Sequence, residues 1–228
     1  MTIKERYSNI INYFRQNFPV AETELKYHDP FELIVAVILS AQCTDKRVNM
    51  ITPALLYRFP TAEIMSLATT EEIFGYIKSC SYPNNKAKHL SGMAKMLVSE
   101  FNGVVPSEPL LLQRLPGVGR KTAHVIASVI FGKQVMAVDT HVFRVSTRTG
   151  LVKNARTPLS AETQLTSNIP KDLIYQAHHW LILHGRYVCK ARKPLCSNCG
   201  IRDFCKYFAE YCKKNTIIFD EKNKLMLS

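Results

Sequence analysis

The stretch Leu115-Pro116-Gly117-Val118-Gly119-Arg120-Lys121-Thr122-Ala123 decides how this chain is read. It lies between two helical runs, LLLQRL before it and KTAHVIASVIF after it. Glycines at 117 and 119 let the backbone turn tightly and point successive N–H groups outward where the second helix begins. Such a helix start binds anions, because its N–H groups and the positive end of its dipole face the ligand together. A plain helix-to-helix turn shares the composition. A nucleotide P-loop does not, since it requires wider glycine spacing and a preceding strand. The nine residues therefore predict a helix, a short turn and a second helix whose amino end suits a phosphate.

Outward from this turn, apolar residues recur at helical spacing nearly everywhere, as in Ile3, Tyr7, Ile10 and Phe14, or Val48, Ile51 and Leu55. Helix-start residues stand at Thr61, Thr70, Asn84 and Asp139. One strand-like run, Gln134 to Val138, is too short and isolated to build a sheet. No 20-to-50-residue repeat is visible, so the expectation is an all-α, two-lobed protein. One lobe is expected at residues 22–134 and carries the turn. The other combines residues 1–21 with 135–212, leaving 213–228 as a tail of unassigned role.

The 228 residues hold 30 Lys plus Arg against 18 Asp plus Glu, a formal charge of +12, with 46% hydrophobic residues. That balance excludes a disordered basic tail and calls for an acidic partner. The longest apolar stretch, Leu33 to Leu39, is far below the roughly 18 residues of a membrane span. No signal core opens the chain, so a cytoplasmic protein without a membrane partner is expected.

Four of the seven cysteines crowd together at Cys189, Cys196, Cys199 and Cys205. A tight cluster at one end of an ordinary chain points to a metal or cluster site in a reducing compartment. Four thiolates suit either tetrahedral zinc or a [4Fe–4S] cluster. Cys43 and Cys80 read as small core residues, and Cys212 is not needed to complete the four. Basic residues interleave with aromatics from Arg186 to Lys214, which favours a phosphate-facing patch including Arg192 and Lys193.

LPGVGRKTA, then AVDTHVFRV, then HHWLILHGRYVCKARKPLCSNCGIRDFC resemble, in order and spacing, the endonuclease III branch of the helix-hairpin-helix DNA glycosylases. The resemblance runs from the first helix to about Cys212. It implies a two-lobed helix-hairpin-helix glycosylase fold with a C-terminal [4Fe–4S] loop, held by Cys189, Cys196, Cys199 and Cys205. It implies removal of damaged, oxidised pyrimidine bases from double-stranded DNA, followed by β-elimination at the abasic site. Lys121 would be the amine that forms an imine with the sugar, its charge disfavoured by the helix start and by Arg120. Asp139 would stabilise positive charge developing on that sugar. Read without the resemblance, Lys121 is a solvated side chain and Asp139 a helix cap.

The same resemblance carries Gln42 and Asp45 over as gap-filling and pocket residues, with His141 beside Asp139. Gly117, Gly119, Arg120, Arg192 and Lys193 would meet the DNA backbone across the cleft where Lys121 and Asp139 meet. In place of the family's Gly, wedge and Tyr, the chain has Ser81-Tyr82-Pro83 before Lys86-Ala87, so Tyr82 takes the wedge position and the opposite-base preference is open. His124 reads as structural or phosphate-facing. His178, His179 and His184 read as core residues. A monomer associated with the bacterial nucleoid is implied. A monofunctional adenine-type glycosylase would not need Lys121, and a non-catalytic hairpin module would not need Asp139 or the cluster.

Overall fold

Thr2 and Glu5 start the first helix, α1 (Ile3–Asn17), by a reciprocal capping box. The Thr2 hydroxyl accepts from Glu5 N–H at 3.2 Å, and the Glu5 carboxylate accepts from Thr2 N–H at 2.8 Å. The helix buries Tyr7, Ile10, Ile11 and Phe14, while Ile3 at the end of the stripe is exposed. The computed structural model describes residues 1–214, 218–219 and 225–226, with side chains to Cys212. The tail expected at 213–228 thus lies largely outside the described residues. The chain divides into two units, Thr23–Ala137 and Met1–Glu22 with Val138–Ser228.

The unit 23–137 is built round α2 (Pro30–Ser40), whose residues Leu33 to Leu39 are all buried. A helix apolar on every side has to be enclosed, and α2 is packed by its neighbours. The unit's other helices are α3 (Asp45–Arg58), α4 (Ala62–Ser66), α5 (Thr70–Ile77), α6 (Pro83–Phe101), α7 (Pro109–Leu112) and α8 (Arg120–Phe131). α2 touches α3, α6 and α8, and α6 in turn covers α4 and α5. Asp29 caps α2, accepting from Glu32 N–H at 2.8 Å, with Pro30 in the first turn.

Two expected helix starts shift. Thr69, not Thr70, caps α5, because Thr69 stands three residues before Glu72 and completes a capping box with it. α6 begins at Pro83 rather than after Asn84, since proline suits a first helical position. The run Gln134–Val138 forms no strand.

In the second unit, α9 (Thr140–Thr149), α10 (Pro158–Asn168), α11 (Ile174–Tyr187) and α12 (Lys206–Lys214) join α1. α9 packs on α10, α11 and α12, and α1 on α11. Phe14 stacks on Trp180 with ring centres 5.9 Å apart, and Trp180 Nε1 donates to the Phe18 carbonyl at 2.7 Å. Arg6 Nε reaches the Phe204 carbonyl at 3.0 Å. His178, His179 and His184 are buried here, and burial pushes His179 down to about 3 and His184 down to about 4. His179 and His184 are neutral core groups. Ile218–Phe219 and Leu225–Met226 pair antiparallel as two-residue strands. No helix among the described residues is long and apolar enough to cross a membrane.

Candidate active site and cysteine cluster

The turn between α7 and α8 is shaped by Gly117, whose φ of +81° lies in the left-handed region. A Cβ there would stand 2.8 Å from His89 Cβ, so both backbone and space require glycine. Gly119 differs. Its φ is −79°, and a Cβ would meet nothing within 4 Å. Among the described residues nothing demands glycine at 119, and the open face lies at the first turn of α8. Gly119 caps this 12-residue helix without any side-chain hydrogen bond. Arg120 and Lys121 are exposed on the same first turn, whereas His124 is 4% exposed. His124 is therefore structural and does not face a phosphate.

The same unit brings the 42 and 82 loops together. Gln42 and Tyr82 are both non-glycine residues with φ of 54°, a conformation costing about 1–3 kcal/mol that persists where the surroundings enforce it. Ser81 Oγ donates to the Gln42 carbonyl at 2.5 Å and ties the two loops. Tyr82 is 62% exposed, and Gln42 is exposed beside it. Asp45 is half-buried at the first position of α3, behind the Thr44 cap. Lys86, buried on α6, donates to the carbonyls of Leu39 at 2.8 Å and Ala41 at 2.7 Å. It thus satisfies the carboxyl end of α2 and fixes where the 42 loop begins.

In the other unit Asp139 caps α9. Its Oδ1 accepts from the N–H groups of His141 and Val142, each at 2.8 Å, and so fixes the carboxylate's orientation. His141 is half-buried on the next turn, with Nδ1 at 3.1 Å from Arg144 Nη2. A guanidinium can only donate, so Nδ1 accepts and Nε2 carries the ring proton. Arg144 also donates to the carbonyls of Gly185 at 2.8 Å and Cys189 at 3.0 Å. One turn on, Arg148 donates to Lys190 and Ala191 carbonyls at 2.7 and 2.9 Å, with its guanidinium over Tyr207. Sequence reasoning missed both arginines. The available signal was their four-residue spacing on the helix that Asp139 caps.

Cys189, Cys196, Cys199 and Cys205 line one cavity of about 340 Å³, counting its part open to solvent, and Cys212 does not. Burial raises the thiols of Cys196, Cys199 and Cys205, Cys199 to about 12. Such thiols become anionic ligands when cations enter beside them. Among the described residues no three His, Cys, Asp or Glu side chains are placed to hold a single metal ion. Four cysteines spread round a shared cavity fit a multinuclear cluster better than one zinc. Arg192 and Lys193 are exposed in the loop between Cys189 and Cys196, and Lys193 has φ of 51°.

A family model described as HhH-GPD superfamily base excision DNA repair protein matches residues 35–171. A second, the iron-sulfur binding domain of endonuclease III, matches residues 189–205. Endonuclease III of Rickettsia conorii is 47% identical over 201 residues, spanning 88% of this chain and 95% of that protein. The Escherichia coli K12 protein of the same name is 42% identical, spanning 90% and 96%. A trapped endonuclease III-DNA covalent intermediate, in an estranged-adenine complex, has a TM-score of 0.87 at 39% identity, spanning 92% and 99%. The fold and these matches define a helix-hairpin-helix protein of base-excision DNA repair. More particularly, the chain belongs to the endonuclease III family. It is a DNA glycosylase with abasic-site lyase activity, binds DNA and uses a [4Fe–4S] cluster.

Proposed function

We propose that the chain excises oxidised pyrimidines from duplex DNA, with Lys121 as the nucleophile. The observation that carries this reading is the first turn of α8, where an exposed lysine follows a helix start without a side-chain cap and the open face of Gly119. Main-chain N–H groups there, with Arg120, hold a backbone phosphate next to the amine. Once deprotonated, the Lys121 amine forms a bond to C1′ while the glycosidic C–N bond breaks and the base leaves with a proton. Opening of the sugar gives an imine. The imine acidifies the 2′ proton, and its loss breaks the C3′–O bond. Asp139, its carboxylate held by two N–H groups, stabilises the positive charge on the sugar.

Extruding the base leaves a gap in the stack. Gln42 and Tyr82, two exposed left-handed residues on tied loops, fill and wedge it. Asp45 and the Nε2–H of His141 contact the flipped base. Cys189, Cys196, Cys199 and Cys205 hold the cluster, which when bound anchors the loop presenting Arg192 and Lys193 to phosphates. The chain acts as a monomer in the bacterial cytoplasm, on nucleoid DNA.

Borohydride trapping on a thymine glycol duplex tests the reading. Lys121→Ala is expected to give no covalent complex and no strand cleavage. Undiminished trapping in that variant would remove Lys121 from the mechanism. Asp139→Asn keeps an acceptor for both N–H groups but removes the charge, so the expected loss is in rate, with the fold retained.

A further inference from the structure

Next to the two left-handed loop residues stand two cysteines outside the iron–sulfur region. Cys43 follows Gln42 and is half-buried, and Cys80 precedes Ser81 and is 4% exposed. The Ser81–Gln42 bond sets Cys80 and Cys43 side by side on the tied loops, and Lys86 Nζ spans from Cys80 Sγ to the Ala41 carbonyl two residues before Cys43. Lys86 Nζ donates to Cys80 Sγ at 3.2 Å, and that thiol lies 3.4 Å from the Leu39 carbonyl. The unit therefore sets one solvent-reachable thiol beside one buried thiol, with a fixed ammonium next to the buried one.

Reactivity follows the same division. Burial raises both thiols, but on Cys43 it is outweighed by the Ser81 N–H, the Cys80 thiol, the Ser81 hydroxyl and the Lys86 charge, which together hold Cys43 below the ordinary range. Burial keeps Cys80 raised. A thiolate that reaches solvent attacks an external disulfide, and a sheltered neighbour resolves the adduct. Cysteines flanking a direct loop-to-loop hydrogen bond are placed for bridging where the geometry of a disulfide can be met.

We propose that Cys43 and Cys80 are a dithiol that exchanges with small disulfides such as glutathione disulfide, closing a bridge that locks the 42 and 82 loops and slows lesion cleavage. The loop role rests on the reading of Gln42 and Tyr82 given above; the bridge itself does not. Cys43 thiolate attacks one sulfur of glutathione disulfide, forming a mixed disulfide and expelling one glutathione thiolate, which takes up a proton. Cys80 then gives its proton to solvent and attacks the Cys43 sulfur, expelling a second glutathione thiolate. Two protein thiols are oxidised, and one glutathione disulfide is reduced to two thiols. The Lys86 ammonium stabilises the Cys80 thiolate during the second step.

The test uses the full chain with its cluster, equilibrated with glutathione disulfide, alkylated, and digested without reductant for peptide mass analysis. A linked peptide pair containing Cys43 and Cys80 is expected, with the cluster's visible absorbance retained. Cys80→Ala should stop at a stable glutathione adduct on Cys43, and Cys43→Ser should give neither adduct nor bridge. Cleavage of a thymine glycol duplex should fall about tenfold on bridging and return with dithiothreitol, the tenfold corresponding to about 1.4 kcal/mol in barrier. Cys43→Ser should cleave at the wild-type rate with or without glutathione disulfide. Thiols left free under conditions that oxidise the unfolded chain would overturn the proposal. So would a Cys43 adduct that persists beside an intact Cys80, or a bridge that leaves cleavage unchanged.

Discussion

The guanidinium of Arg148 lies 3.6 Å from Cys189 Sγ, while the backbone carbonyl of Arg148 lies 3.6 Å from Cys205 Sγ. One residue of α9 thus touches the first and last of the four clustered cysteines. It also holds the intervening chain through the Lys190 and Ala191 carbonyls. Arg148→Ala removes these charge-assisted contacts, a loss on the order of 1–3 kcal/mol in that loop. The expected result is faster bleaching of the cluster's absorbance near 400 nm during incubation with a chelator. Arg148→Lys keeps the charge but not the forked geometry and should fall between.

The two glycines of the hairpin separate stability from binding. Gly117→Ala places a side chain at φ of +81° and against His89, so a loss of about 1–3 kcal/mol is expected in urea unfolding. Gly119→Ala meets open space at an ordinary φ and should leave the unfolding midpoint unchanged. Its expected effect is weaker binding of an abasic-site duplex, measured by fluorescence anisotropy. Equal loss of stability in both variants would contradict this division.

Burial, then the His178 and Arg186 charges, lower His179 to about 3 from an ordinary 6.5. The folded protein keeps this ring neutral, and the unfolded chain protonates it once pH drops below about 6.5. Stability is therefore whole above that value and is lost between pH 6.5 and about 3, by up to about 1.4 kcal/mol per pH unit. Wild type should lose stability on acidification faster than His179→Leu, by denaturant titration at pH 7 and pH 5. Parallel loss in both proteins would exclude His179 as the source.

Arg192 and Lys193 are exposed in the cysteine loop. If each neutralises one phosphate, Arg192→Ala and Lys193→Ala should each reduce the slope of log affinity against log salt by about 0.9. Binding assays between low and moderate salt measure this directly.

Much of the site was legible because its signals are local. The hairpin announces itself through two glycines followed at once by a helical pattern, and the clustered cysteines through their spacing in sequence. Asp139 reads as a cap from its neighbours alone, and the structure gives it two N–H partners. Arg144 and Arg148 were hidden because their acceptors are backbone carbonyls 41 to 45 residues away. On sequence they are ordinary basic residues of a solvated helix face. Lys86 appeared only as half of a Lys-Ala pair; its burial against the end of α2 depends on how α6 crosses that helix. Gln42 and Tyr82 gave no local hint of a left-handed backbone, since neither is glycine or asparagine.

The discontinuous unit also sets the order of events during synthesis. Arg6 binds a carbonyl 198 residues downstream, and Phe18 accepts from Trp180 across 162 residues. α1 therefore leaves the ribosome well before the segments that cover Tyr7, Ile10 and Phe14. At about 5–20 residues per second, that apolar stripe waits on the order of ten seconds or more for its partners. Residues 23–137 are all synthesised in the meantime. The newborn chain thus passes through a stage in which residues 23–137 are all made while the apolar stripe of α1 still awaits the downstream segments that bury it.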